Sequence, residues 1–278
     1  MSVTITAIVI LGGIGIACAL MLYVTARKFH VDEDPRIAEI EELLPGANCG
    51  GCGRNGCHDF ACACVSATSL DGLNCPGAGA EAMRKIASIV GLAPVAQRPM
   101  TAVIRCNGSC SARPATSIYD GAASCAIVNA LYSGTSDCAY GCLGCGDCVK
   151  ACRFDAIAMN RATGLPEIDN ERCTACGLCA KACPRNIIEL RPKGPRGIRV
   201  WVACSNHDKG AVAMKACKAA CIACGKCARV CQAEAISISD NLSYIDPDRC
   251  KLCRKCVDAC PTKAILDTFP KRQATTAQ

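Results

Sequence analysis

The N-terminal stretch of the chain is uniformly apolar. Residues 1–26 contain no Asp, Glu, Lys or Arg, and Arg27 and Lys28 follow immediately. This length exceeds the ~20 residues that a helix needs to cross a bilayer, and the stretch lacks the basic start of a cleaved signal peptide. The pattern predicts a transmembrane anchor over residues 1–28. The two basic residues then hold the rest of the chain on the cytoplasmic side of the inner membrane.

Beyond the anchor, apolar positions occur only in short groups. Ile37, Ile40, Leu43 and Leu44 have helical spacing, so residues 29–48 are predicted to be a linker that ends in a short helix. Four apolar segments, AIAM, NIIEL, AISI and KAIL, each follow a dense run of cysteines. They predict short β-strands, and a short helix is expected after each cysteine run.

Cysteine dominates the composition. It accounts for 29 of 278 residues, whereas aromatic residues make up only 4%. Cysteine this frequent is usual in small disulfide-bonded secreted proteins. Here the cysteines crowd into runs too tight for local disulfide geometry, but they can converge as thiolates on a metal cluster. We therefore expect a reducing compartment and several small modules in which metal–thiolate bonds replace much of the apolar core.

The pattern C-x2-C-x2-C-x3-C occurs four times. It is the ligand pattern of bacterial ferredoxins, in which the fourth cysteine of each run binds the other [4Fe–4S] cluster of the pair. The crossed pattern predicts four ligand sets: Cys142, Cys145 and Cys148 with Cys183; Cys173, Cys176 and Cys179 with Cys152; Cys221, Cys224 and Cys227 with Cys260; and Cys250, Cys253 and Cys256 with Cys231. Two tandem dicluster ferredoxin-like modules follow, over residues 139–192 and 217–270, with a linker over 193–216 and a tail over 271–278.

An earlier group of cysteines lies in and after the Gly-rich segment NCGGCGRNGC: Cys49, Cys52, Cys57 and Cys75. Glycines allow the backbone to wrap closely around a cluster. Zinc is the alternative metal, but zinc sites usually contain two C-x2-C pairs, and this group contains one. Residues 49–98 are therefore predicted to form a small α-rich domain with a single [4Fe–4S] cluster.

Some of the remaining cysteines could bind a sixth cluster. Four candidate ligands lie in a connecting region over residues 99–138: Cys106, Cys110, Cys125 and Cys138. A shift of 79 residues maps the last two onto Cys204 and Cys217 of the second repeat. That shift finds no counterpart of the first two. Either the two repeats differ here, or these cysteines are structural in both.

The excess positive charge lies in the C-terminal third. The formal net charge is +7, and residues 191–278 contain 16 basic and 7 acidic side chains. Lys251, Arg254 and Lys255 surround the last cysteine run and form a candidate docking face for an acidic protein. A solvated face without a partner is the alternative. No Gly-rich nucleotide-binding loop and no nucleophile–base pair is found, so we expect no catalytic residues, no NAD or flavin bound by this chain and no nucleic-acid partner.

The order of these motifs resembles one family. An uncharged N-terminal segment precedes NCGGCGRNGC, CNGSC, CAYGCLGCGDCVKAC and CTACGLCAKACP, as in the B subunit of the Rnf ion-translocating ferredoxin:NAD oxidoreductase complex, long form. The resemblance covers essentially the whole chain. It implies an α+β electron-carrying subunit of a translocase, with soluble acidic ferredoxin as electron donor. Other membrane and flavin-bearing subunits would pass the electrons to NAD, and the transfer would drive Na+ or H+ across the membrane.

The resemblance also bears on one ligand. Family members commonly carry an apolar residue at the position of Cys145, and Cys138 could then be the ligand. Two other functions stay open on the residues alone. One is a polyferredoxin subunit of another membrane enzyme, such as a hydrogenase, a quinone-linked reductase or a SoxR-reducing complex. The other is a zinc-bound structural protein.

Overall fold

A computed structural model describes residues 2–28, 33–96, 98–132 and 134–270. The predicted tail, 271–278, and part of the predicted linker, 29–32, lie outside the described residues. The helices are α1 (Ser2–Lys28), α2 (Pro35–Leu43), α3 (Cys57–Ser66), α4 (Gly79–Val90), α5 (Cys125–Leu131), α6 (Asp147–Lys150), α7 (Leu178–Ala182), α8 (Gly210–Ala216), α9 (Lys226–Arg229) and α10 (Lys255–Ala259). The strands are β1 (Met100–Ile104), β2 (Ile157–Asn160), β3 (Leu165–Ile168), β4 (Ile188–Pro192), β5 (Val200–Val202), β6 (Ile236–Ser239), β7 (Leu242–Ile245) and β8 (Ile265–Asp267). The expected α+β class is confirmed.

The first helix, α1, contains 27 residues. At a rise of 1.5 Å per residue it is about 40 Å long, which exceeds the ~30 Å hydrocarbon layer of a bilayer. Its segment Ile5–Thr25 is long and apolar enough to span a membrane. Leu11 and Leu22 are each 69% exposed. Apolar side chains exposed around a whole helix are unfavourable in water and favourable in lipid.

Helices α2, α3 and α4 form the unit that follows. Asp34 caps α2, because its carboxylate accepts a hydrogen bond from the Arg36 amide (2.9 Å). The apolar positions predicted for this helix face inwards. Ile40 is fully buried and lies in one core with Phe60 of α3 and Ile86 of α4. This core fixes the position of α3, which begins at a cysteine of the first predicted ligand set.

The two ferredoxin modules have the same strand order. In the first, β2 and β3 form an antiparallel hairpin between the two cysteine runs, and β4 returns to pair antiparallel with β1. In the second, β6 and β7 form the hairpin, and β8 pairs with β5. Each cysteine run contains one of the short helices α6, α7, α9 and α10. The prediction of a helix after each run was therefore wrong, because the helix forms before the fourth cysteine.

Half of the strands escaped prediction. The apolar segments correspond to β2, β4, β6 and β8, but the sequence did not indicate which segments form their partners β1, β3, β5 and β7. β3 contains Pro166 and β5 contains only three residues, so neither has a strong alternating pattern. β4 pairs with β1, and Ile188 lies opposite Ile104. The two strands are separated in sequence by a whole module, so no local sequence pattern indicates their pairing.

The two modules contact each other along β1 and β5. Trp201 Nε1 donates a hydrogen bond to the Ile104 carbonyl (3.0 Å). Ser205 Oγ donates to the Arg105 carbonyl (2.7 Å). These bonds hold the segments after β1 and β5 side by side, and each segment carries a cysteine outside the four runs.

Candidate iron–sulfur centres

In the second module the cysteines form two sets in the crossed arrangement. The lining cysteines of the two cavities are Cys221, Cys224, Cys227 and Cys260 in one, and Cys231, Cys250, Cys253 and Cys256 in the other. Within each C-x-x-C turn the backbone reverses, because Ala223 and Leu252 adopt left-handed conformations (φ 50° and 55°). Three thiols of one run thereby meet the last thiol of the other run.

The first module shows the same crossing. Thiols from both of its runs line one cavity: Cys142, Cys148 and Cys183. In the other set, burial and the neighbouring thiols of Cys173 and Cys176 raise the pKa of Cys179 to about 12. Burial also raises the pKa of Cys176, and Cys152 contributes to that shift. Thiols with raised pKa values are protonated at neutral pH, so iron binding here must displace protons.

A fifth thiol reaches the first of these sets. Cys125, at the start of α5, lines the same cavity and forms a hydrogen bond with Cys145. Burial, followed by the effect of Cys125, raises the pKa of Cys145 to about 11. Cys125 therefore lies with the predicted ferredoxin ligands. The sequence had instead grouped it with Cys106 and Cys110. It is also Cys125, and not Cys138, that stands as the alternative to Cys145.

The cysteines of the N-terminal group meet at the base of the three-helix unit. Burial raises the pKa of Cys75, and the thiols of Cys52 and Cys49 add to the shift. Cys57, the first residue of α3, is 9% exposed. Its amide donates to Asn48 Oδ1 (2.8 Å), which ties the loop to the start of the helix. The four predicted residues thus share one small region of the fold.

This N-terminal loop packs directly on the first ferredoxin module. A Cβ atom at Gly51 would lie 2.7 Å from the Cys176 carbonyl oxygen, so only glycine permits the approach. Cys49 is among the groups that raise the pKa of Cys176. Arg153, which replaces the proline usual after a ferredoxin run, donates from Nη1 to the Ala47 carbonyl (2.7 Å).

Two further cysteines lie near this group. Cys64 is fully buried, and its pKa is raised to about 11 by burial, with smaller contributions from Cys52 and Cys75. The Cys62 sulfur lies 3.6 Å from Nε2 of His58. Sequence spacing did not indicate that Cys64 would face the predicted ligands, because an ACAC segment on a helix turns its two thiols in different directions.

The four cysteines expected to hold a sixth cluster are not brought together. Cys106 and Cys138 line one cavity, but Cys110 is exposed and Cys125 belongs to the ferredoxin set described above. The other cysteines that line the cavity come from the second module: Cys204 and Cys217.

An insertion explains the error. Cys106 lies two residues after β1, and Cys204 lies two residues after β5, so these two are structural equivalents. The uniform shift had matched Cys204 with Cys125. In fact 31 residues separate Cys106 from Cys138, but only 12 separate Cys204 from Cys217. A constant shift in sequence misaligns the repeats wherever one of them has an inserted segment. The strand pairing identifies equivalent residues despite the insertion.

Buried arginines test independently whether negatively charged clusters fit these sets. Arg199 is 5% exposed, and within the described part of the chain its Nε and Nη1 have no hydrogen-bond partner. Burial lowers the pKa of Arg199, and the neighbouring thiol of Cys173 opposes that shift. Arg113 Nε is likewise buried without a partner among the described residues. A buried cation requires an anion, and a [4Fe–4S] cluster with four thiolates carries a charge of about −2. The residues fit such a group.

A single metal ion fits less well. Zinc holds its thiolates at ~2.3 Å, which places them ~3.8 Å from one another. Among the described residues, no group of three or more Cys, His, Asp or Glu side chains is arranged to hold one ion. A cubane of iron and sulfide lies between its four thiolates and requires a wider set.

The same segments match known iron–sulfur families. Residues 141–187 and 220–264 match the family described as a 4Fe-4S dicluster domain. Residues 44–69 match the family described as a putative Fe-S cluster. The matched segments contain all four ferredoxin runs and the Gly-rich loop of the N-terminal group.

Curated relatives extend the similarity to nearly the whole chain. The B subunit of the Na(+)-translocating ferredoxin:NAD(+) oxidoreductase complex of Acetobacterium woodii is 39% identical over 92% of this chain and 75% of its own. The B subunit of the ion-translocating oxidoreductase complex of Methanosarcina acetivorans is 37% identical, over 95% and 98%. The B subunit of the proton-translocating ferredoxin:NAD(+) oxidoreductase complex of Clostridium ljungdahlii is 38% identical, over 95% and 93%. The chain therefore belongs to the family of B subunits of Rnf ion-translocating ferredoxin:NAD oxidoreductase complexes.

Proposed function

We propose that the chain takes electrons from reduced soluble ferredoxin and carries them towards the membrane subunits that deliver them to NAD. The relatives' names supply the reaction. The observation that carries the proposal is that successive cysteine sets lie next to each other. Three pairs of thiols from adjacent sets are close enough for one to raise the pKa of the other: Cys49 and Cys176, Cys148 and Cys179, and Cys227 and Cys256.

In this proposal each set of four thiolates holds one [4Fe–4S] cluster, which supplies one-electron transfer at a potential set by hydrogen bonds, charge and exposure. The chain then needs no acid, base or nucleophile. Its residues hold the thiolates, exclude water and donate backbone N–H groups to sulfur. The Ala156 amide donates to Cys152 Sγ (3.4 Å), and the Ala102 amide donates to Cys173 Sγ (3.5 Å).

Electron input is proposed at the second module, because two of its cysteines reach the surface. Cys224 and Cys253 are exposed. Lys251 and Lys255 are exposed on either side of Cys253. An acidic ferredoxin would approach this surface through charge attraction, which raises association rates by about 10 to 1,000-fold.

Arg254, the third residue expected on this face, is engaged within its own module, and its side chain is 40% exposed. Its Nε donates to Asp267 Oδ2 (3.0 Å), and its guanidinium lies 4.9 Å from the centroid of the Phe269 ring. A carboxylate and an aromatic ring already hold this guanidinium, so it is less available to an acidic partner than the two exposed lysines. We therefore assign ferredoxin contact to Lys251 and Lys255.

The proposed orientation places the cysteine sets in the cytoplasm. Arg27 and Lys28 form the last turn of α1, and basic residues next to a membrane helix favour the cytoplasmic side. Helix α1 would hold the chain beside the other membrane and flavin-bearing subunits of the complex.

The double variant Lys251→Glu/Lys255→Glu tests the input surface in the assembled complex. We expect the rate of reduction by ferredoxin to fall at least about tenfold at low ionic strength and to lose its salt dependence. The control is Arg84→Glu/Lys85→Glu, which makes the same change of charge at exposed positions of α4. Both variants should retain the iron content of the unmodified chain.

Equal rates for the two double variants would contradict docking at the second module. A complex with full iron content that ferredoxin does not reduce would contradict the proposed function as a whole.

A further inference from the structure

Four buried cysteines meet where the two ferredoxin modules contact each other, outside any cysteine run. Each is between 5% and 8% exposed: Cys106, Cys138, Cys204 and Cys217. They line one cavity, two from each module. Their mutual effects on pKa agree with this closeness. Burial raises the pKa of Cys217, and the nearby thiols of Cys138 and Cys106 raise it further. None of the matched iron–sulfur segments contains these residues.

The sulfur atoms accept N–H donors in the manner of cluster thiolates. The Cys142 amide donates to Cys106 Sγ (3.4 Å), and the amides of Cys221 and Asn206 donate to Cys204 Sγ. Asn206 Nδ2, from a side chain that is 1% exposed, donates to Cys138 Sγ (3.7 Å). Such donors around sulfur orient a thiolate and stabilise its negative charge.

The cavity also has space and a cation. Glycine leaves room next to the sulfurs, since Cβ atoms at Gly108 and Gly141 would each lie 3.4 Å from a lining sulfur. Arg113 lines the same cavity, and its Nη2 donates to the Cys142 carbonyl (2.6 Å). Its Nε has no partner among the described residues. A negatively charged group in the cavity would satisfy this cation.

The same cavity lies between two predicted centres. Cys106 accepts a hydrogen bond from a ligand residue of the first module, Cys142, and Cys204 accepts one from a ligand residue of the second, Cys221. Among the described residues, no other cysteine set is seen to join the two modules. Without a cluster in this cavity, the predicted clusters of the first module would not be connected to those of the second.

We propose that Cys106, Cys138, Cys204 and Cys217 hold a sixth [4Fe–4S] cluster that joins the electron paths of the two modules. This inference rests on the proposed function and assigns a role to two cysteines, Cys204 and Cys217, that had none. One electron arrives from one module for each electron that leaves to the other. No proton or other group is transferred, and no bond to a substrate forms or breaks.

Metal analysis of the unmodified full chain tests the count directly. We expect about 24 iron and 24 sulfide per chain, six clusters of four, and no stoichiometric zinc. Cys217→Ala should lower both counts to about 20 and remove one paramagnetic signal on reduction. Cys110→Ala is the matched control, since Cys110 belongs to the same region but does not line the cavity, and it should retain about 24 of each.

The variant should also interrupt transfer between the modules. In Cys217→Ala, ferredoxin should still reduce the second module, whereas reduction of the N-terminal centre should slow at least about a hundredfold. About 20 iron in the unmodified chain, with or without zinc, would overturn the inference even if the variant fails to fold. If ferredoxin still reduced that chain, the proposed function would stand without the sixth cluster.

Discussion

The two ferredoxin modules share a strand order but differ in what surrounds it. The second is compact, with 12 residues between Cys204 and Cys217. The first has 31 residues at the equivalent place, and these include α5 and Cys125. The added segment brings a fifth thiol to a set that needs four. A repeat can therefore keep its topology while an insertion changes which residues meet.

Their surroundings differ as well. Cys224 and Cys253 of the second module are exposed, whereas their counterparts Cys145 and Cys176 are half-buried. The first module lies between the N-terminal loop, which packs on Cys176, and the second module. This arrangement makes the second module the accessible end and the first an internal connection.

The second position after the last cysteine of each module also differs. Arg185 of the first module donates to the carbonyls of Cys138 and Gly141 (3.1 and 2.7 Å). The second module has Thr262 there, whose Oγ1 lies 3.7 Å from Cys260 Sγ. Positive charge next to a cluster favours its reduced form, so the two modules have different means of setting their potentials.

The spare thiol predicts the largest difference between the modules. Cys224→Ala removes a predicted ligand from a cavity that no fifth cysteine lines among the described residues, so the second module should lose a [4Fe–4S] signal and between about one and four iron per chain. Cys145→Ala removes the equivalent ligand from the first module, where Cys125 lines the cavity. It should retain its iron and its signals. Iron analysis and electron paramagnetic resonance of the reduced chain measure both.

The double variant Cys125→Ala/Cys145→Ala is the control, and it should behave like Cys224→Ala. If Cys145→Ala alone lost a cluster, Cys125 would not be a ligand at all. Retention of every cluster in the double variant would show instead that neither thiol is required.

The grouping of the cysteines in the two modules could be predicted from sequence because spacing within a run is a local property. Crossing between runs follows from the ferredoxin pattern, and the structure groups Cys231 with Cys250 and Cys260 with Cys221 accordingly. The long apolar helix at the N-terminus was equally clear, since an uncharged run of 26 residues has few alternatives.

The cavity between the modules could not be predicted in the same way. It depends on contacts such as that of Trp201 with Ile104, almost a hundred residues away, and no local pattern records such a contact. The ion pair of Arg254 had the same limit, since its partner Asp267 becomes a neighbour only when β8 pairs with β5. Charge counts found a basic region but not which cations are free.

Removal of a buried ion pair is expected to have an intermediate effect on thermal stability. It tests whether the two modules unfold together. Glu189 of β4 accepts from Arg191 Nε (3.1 Å), and Arg191 is only 2% exposed. Glu189→Ala would leave that cation without its carboxylate. Because Glu189 itself is 22% exposed, we expect a cost of about 2 kcal/mol, or roughly 4–8 °C in the midpoint of heat-induced loss of cluster absorbance.

Glu171→Ala, at an exposed position of the same module, is the control and should leave the midpoint within about 1 °C. Both modules should lose their clusters at the same lowered temperature in Glu189→Ala. Separate transitions for the two modules would contradict a single rigid pair.

The smallest effect concerns the tyrosine that completes this contact from the second module. Tyr244 Oη donates to Glu189 Oε1 (2.8 Å), and the Tyr244 ring lies 5.0 Å from the Arg191 guanidinium. Tyr244→Phe removes the hydrogen bond but keeps the ring, so it should cost about 1 kcal/mol. Tyr244→Leu also removes the ring and should cost roughly 1 kcal/mol more. If Tyr244→Phe destabilised the protein as much as Glu189→Ala, the Glu189 carboxylate would stabilise it mainly through its hydrogen bond to Tyr244 across the module boundary. A smaller destabilisation would indicate that Glu189 acts mainly on Arg191 within the first module.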